Sequence, residues 1–140
     1  MTANLDLVRS LFPAFERGDF FSWTERAHPE IEWIIADGPT AGSWAGVAGM
    51  EESVRGVLRA WEYFRISAEE YRELYAERVL VLGHISGRGK TSGLEVGTKG
   101  ASLFHVRGGK VTGIVIYWER EHALADLGPT PEGDAADSPG

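Results

Sequence analysis

The 140-residue chain is 43% hydrophobic, which suits one domain with a real core and leaves two domains cramped. Its formal charge of −7, with no visible basic stripe, argues against nucleic acid as a main partner. The chain has no cysteine, which excludes disulfides, thiolate metal sites and a cysteine nucleophile, and His28, His84, His105 and His122 lack ligand spacing, so no metal or cofactor is expected. No basic start precedes an apolar run and no stretch reaches transmembrane length, so the chain reads as soluble and cytoplasmic, with no membrane partner.

In chain order, Leu5, Val8, Leu11, Phe12 and Phe15 recur at helical spacing. Pro13 removes a backbone donor there and predicts a kink or an interruption. Gly18-Asp19 then reads as a helix end followed by an N-cap, with Phe20, Trp23 and Ala27 on the buried side of a short second helix. His28-Pro29 stops that helix, and Ile31 to Ile35 is a strand carrying Trp33. Asp37 to Gly46 is a turn-rich loop whose Trp44 is either a lid over a cavity or a plug packed on the core.

Val47, Met50, Val54, Val57, Leu58 and Trp61 give the cleanest helical stripe and predict a long third helix. Tyr63 to about Tyr75 reads as a strand, although Glu69 to Leu74 also has helical propensity. Arg78 to Ser86 is a strong strand, apolar on both faces, and Gly87 to Gly93 is its exit loop. That loop is glycine-rich but lacks a phosphate-loop pattern.

Ala101 to Val106 and Val111 to Trp118 form a hairpin across a three-residue loop, Arg107-Gly108-Gly109, with Gly109 at positive φ. Pairing Phe104 with Thr112 puts Thr98, Gly100, Ser102, Phe104, Ile114, Ile116 and Trp118 on one face. Ala101, Leu103, His105, Val115 and Tyr117 take the other. Both faces are apolar, so a core or pocket is expected on one and a second covering on the other. Arg120 to Leu127 is a short helix ended by Gly128-Pro129, and the polar remainder is expected to be a disordered tail. The domain therefore spans 1–128 and the tail 129–140.

This order, with Phe15-Glu16-Arg17-Gly18-Asp19, His28-Pro29-Glu30-Ile31-Glu32-Trp33, Gly46-Val47-Ala48-Gly49-Met50, Arg107-Gly108-Gly109-Lys110-Val111 and Tyr117-Trp118-Glu119-Arg120-Glu121-His122-Ala123-Leu124, resembles the nuclear transport factor 2-like superfamily. Within it the chain is similar to the SnoaL-like and ketosteroid-isomerase-like proteins, from about Asn4 to Gly128. The resemblance implies an α+β fold: a cone-shaped, curved antiparallel sheet wrapped around three helices of the N-terminal half, with a short C-terminal helix. It also implies an apolar pocket and a homodimer through the outer sheet face, here Leu103, His105, Val115 and Tyr117. The fold hosts isomerases, dehydratases, epoxide hydrolases, cyclases and non-catalytic modules, so it does not fix the chemistry. The positions of the ketosteroid isomerase base and its two oxyanion donors fall on Trp33, Leu11 and Ser102, and the cyclase base position falls on Ile116. None of the four supplies the required group.

A sparse polar set remains. If His84 lies beside Val96, it shares a face with Thr98 and Ser102 and is a candidate general base or ligand partner, the alternative being a core histidine bonded to backbone or water. Asp37, just beyond the first strand, is a second catalytic candidate or a structural turn residue. Glu95 and Glu119 fall on the opposite face in that register. Trp33, Phe104, Ile116 and Trp118, with Leu11, Phe15, Tyr63 and Trp44, would surround a small hydrophobic ligand such as a polyketide, steroid or terpenoid, or would simply fill the cone. The expected function is thus a pocket protein with isomerase, lyase or cyclase chemistry by proton transfer, or a non-catalytic dimerisation module with a filled cone.

Overall fold

The computed structural model describes residues 2–127, apart from 39 and 76; the expected tail lies outside them. A six-stranded sheet in the order β2-β1-β6-β5-β4-β3 is built from β1 (Ala27–Ile35), β2 (Gly42–Ala45), β3 (Trp61–Leu74), β4 (Arg78–Gly89), β5 (Glu95–Arg107) and β6 (Lys110–Tyr117). It curves around α1 (Thr2–Glu16) and α2 (Gly46–Ala60), while α3 (Arg120–Leu127) lies against the opposite face of β5 and β6. All neighbours are antiparallel except β1 and β6.

Val8, Leu11, Phe12 and Phe15 of the α1 stripe are buried and Leu5 is half-buried, and the helix runs through Pro13 without interruption. It ends at Gly18, in the left-handed region at φ +83, where the Gly18 and Asp19 amides donate to Phe15 O and Ala14 O. The expected second helix shrinks to a single 3-10 turn, Thr24–Arg26. Asp19 does accept the Phe21 and Ser22 amides, which lowers its pKa, but β1 begins at Ala27 and leaves no room for further helical turns. His28 and Pro29 therefore lie in a strand, at an irregular stretch of the β1–β6 pairing where a missing amide is tolerated.

Two stretches change element type. Gly42–Ala45, expected as loop, is a strand paired to β1, and Trp61, expected on the helix, opens β3. The ambiguous Glu69 to Leu74 is strand.

The terminal hairpin keeps its expected faces with a corrected register. Its loop has two residues, Gly108 and Gly109, both at positive φ, because Arg107 pairs with Lys110. A bulge at Thr112, whose hydroxyl donates to His105 O, shifts the pairing again, so Phe104 faces Ile114 and Ser102 faces Ile116. Two steps of one residue restore the parity of the sheet.

A second bulge bends the sheet. Ala68 pairs with Gly83 and Glu70 with Leu82, which leaves Glu69 as the extra residue. Gly83 allows this: a Cβ there would lie 1.8 Å from Ser67 O. Arg120 spans the bend, donating to Gly83 O at 2.9 Å and to Glu69 Oε1 at 3.2 Å, so the same place anchors α3.

Candidate functional site

Inside the cone, α1, α2 and the concave face of the sheet meet in one core that includes Leu11, Phe15, Trp33, Phe64, Phe104, Ile116 and Trp118. The packing is dense with rings: Phe12 stands edge-on to Phe15, Phe104 and Tyr71. Among the described residues a gap of about 10 Å³ lies between Phe20, Trp33, Ile35, Val54, Val57, Phe64, Ile116 and Trp118. That is room for about one water, far below the roughly 300–1,000 Å³ of a ligand site.

Two tryptophans meet beside the gap. Trp118 lines it, and Trp61 packs against Trp118 from outside the lining with ring centroids 5.8 Å apart and rests over Gly87, where a Cβ would come within 2.9 Å of the indole. On the far side the Trp118 indole sits under Gly38, at φ +86, where a Cβ would fall 2.3 Å from the ring. Neither glycine tolerates a side chain without moving a tryptophan. Nothing around the gap titrates. Among the described residues the buried polar side chains of this interior are Ser53, whose Oγ accepts from Trp33 Nε1 at 3.1 Å, and Ser102.

The expected site residues separate. Trp33, Ile116 and Trp118 line the gap; Leu11, Phe15, Phe104 and Ser102 are buried elsewhere in the interior. Trp44 is half-buried on β2, opposite Trp33 in register and folded over Gly42 and Gly49, which makes it a plug rather than a lid. Thr98 lies on the inner face in register with Ile85 but opens into a surface groove with Lys99, Glu119 and Arg120.

Two placements are reversed. His84 pairs with Lys99 and Ser67, not Val96, and so lies on the outer face, where Glu69 accepts from its Nδ1 at 3.0 Å. The cause is the β4–β5 turn: β4 continues through Gly87-Arg88-Gly89, and the chain reverses only at Lys90 to Leu94, an odd shift that exchanges faces. Tyr63 is also on the outer face, beneath the Arg65 guanidinium, because a bulge between Trp61 and Tyr63 brings Trp61 and Phe64 inward instead.

Asp37 does find functional-looking company. At the exit of β1 its Oδ1 accepts the Trp118 amide at 2.6 Å, and its Oδ2 accepts from His122 Nδ1 at 2.9 Å. His122 stands edge-on to Tyr117, whose hydroxyl donates to Asp126 at 3.0 Å. The hydrogen bond to Asp37 raises the His122 pKa above its ordinary 6.5, helped by Asp126 and Glu119. Burial first, then Asp126, pushes the Tyr117 phenol up to about 12. Residues 37 and 122 are 85 apart, and no sequence spacing could have joined them.

No cluster of three or more metal-ligating side chains exists among the described residues, and no helix there is long and apolar enough to cross a membrane.

A curved sheet around two helices, with a short helix behind, defines the nuclear transport factor 2-like class. Solved structures of that class share it: an NTF2-like protein from Burkholderia xenovorans LB400 is 32% identical, with 83% of this chain and 88% of that one covered at a TM-score of 0.62. TerC, co-crystallised with polyporic acid, is 22% identical over 89% of this chain and 97% of its own, at 0.72. A candidate SnoaL-like polyketide cyclase from Jannaschia sp. CCS1 is 17% identical over 82% and 84%, at 0.68. No functionally curated protein matches. The family model of the SnoaL-like domain matches residues 8–114, and the chain belongs to that family.

Proposed function

We propose that this chain binds a small, flat, apolar molecule at the mouth of its cone, without acid–base chemistry there. The supporting observation is the wholly apolar gap, about 10 Å³, with Trp118 in its wall and Trp61 packed beside that ring. A ligand would enter by displacing these indoles, and tryptophan faces suit a planar ring system. The interior supplies shape and apolar contact. It offers no base at the positions where the resemblance would place one, Trp33 and Ile116, so binding is favoured over isomerase, lyase or cyclase chemistry.

The test is thermal shift and tryptophan fluorescence with a panel of planar aromatic compounds, including polyporic acid, on wild type, Trp118→Ala and His84→Ala. Binding should raise the Tm of wild type and of His84→Ala alike, since His84 faces away, while Trp118→Ala changes affinity about tenfold or more. If no compound moves any of the three, the binding reading fails and the second reading, a filled cone that serves as a dimerisation module, takes its place.

In either reading the outer face would carry a homodimer. Leu103 and Tyr117 are already covered within the chain, which leaves the half-buried His105 and Val115, with Ile34 beside Val115, for the partner. Burial holds the His105 pKa below its ordinary value, consistent with a neutral ring at such a contact. Sedimentation at micromolar concentration is expected to show a dimer, and Val115→Glu a monomer; a monomeric wild type would refute the assignment.

A further inference from the structure

We propose that His122 is a positioning residue for the mouth of the cone: through Asp37 it holds Gly38 down on the Trp118 indole, so the mouth loosens as His122 loses its proton. This rests on reading the apolar gap as the binding site.

The connection is continuous. His122 on α3 donates from Nδ1 to Asp37 Oδ2, and the other oxygen of that carboxylate accepts the Trp118 amide. The next residue, Gly38, lies so close to the indole that not even a methyl group fits between them. Trp118 in turn lines the gap and faces Trp61. Three pieces of chain that are distant in sequence, the β1 exit, the β6 end and α3, are therefore tied at one carboxylate.

The charged neighbours favour the imidazolium from several sides. Asp37 faces it from the β1 exit, Asp126 from α3 with an oxygen 3.7 Å from Nε2, and Glu119 from the approach to that helix; Tyr117 of β6 supplies a neutral ring against it. When His122 is charged, its two nitrogens can serve Asp37 and Asp126 at once. When neutral with its proton on Nδ1, it keeps a weaker bond to Asp37 and leaves Asp126 facing a lone pair.

The sign follows from the direction of the shift. A histidine whose pKa is raised by folding contributes its full stabilisation below the ordinary 6.5 and loses it as pH rises through the raised value. The mouth is thus held most firmly under mildly acidic conditions and opens more readily on the alkaline side.

A ligand-free measurement tests this. Amide exchange protection of Trp118 would be followed by NMR from pH about 6 to about 9, beside the titration of the His122 ring itself. Wild-type protection should fall several-fold, up to about tenfold, with a midpoint that coincides with the His122 pKa. In His122→Gln the protection should be independent of pH, and in Asp126→Asn the midpoint should move to lower pH together with the His122 titration. Constant protection across the His122 titration, or a pH dependence that survives in His122→Gln, would overturn the proposal. Failure of the binding reading would leave these exchange results intact and show instead as the absence of any ligand.

Discussion

Gly83→Ala is expected to lower folding stability by roughly 3 kcal/mol or more, at the upper end for a single methyl group. The added carbon would lie 1.8 Å from Ser67 O and 2.8 Å from the same carbonyl carbon, both backbone atoms that cannot rotate aside. Relief requires β3 and β4 to separate at the Glu69 bulge, where twelve register pairs otherwise hold them together. The movement would also displace Gly83 O from Arg120 and so loosen α3. Urea denaturation reads the effect as a lower midpoint. An unchanged midpoint would mean that the bend is soft and that Gly83 is there for some other reason.

Phe104→Ala is expected to cost about 3–5 kcal/mol. Phe104 is 1% exposed, edge-on to Phe12 and opposite Ile114. Removing the ring leaves a hole that its neighbours, locked in a ladder on one side and a helix on the other, can only partly close. With total stabilities of about 5–15 kcal/mol, such a loss leaves a marginal protein. A measured cost below about 1 kcal/mol, at an unchanged denaturant slope, would show that the interior around Phe104 is loosely packed.

What was legible in the sequence followed from periodicity. The α1 and α2 stripes, and the division of Ala101 to Trp118 into two apolar faces, depend only on spacing, and spacing survives small errors. The hairpin shows why: its register moved by two residues, from Phe104 beside Thr112 to Phe104 beside Ile114, and an even shift leaves every side chain on its own face. His84 met the opposite case, since a glycine-rich stretch that looked like a turn is strand to Gly89, and the odd shift turned the best catalytic candidate outward. Tyr63 was lost in the same way to a bulge. The tryptophan pair, Trp61 with Trp118 under Gly38, and the contact between Asp37 and His122, come from tertiary closeness alone. No pattern in the chain announces them.

The long border strand β3 carries two bulges and bears Glu62, Arg65, Glu69, Glu70, Arg72 and Glu73 along its fourteen residues, while β2, at the opposite border, offers only four. A neighbouring chain seeking to extend the ladder would meet a kinked, highly charged rail on one flank and a stub on the other. Growth into a continuous fibre by pairing along these two flanks is thereby discouraged.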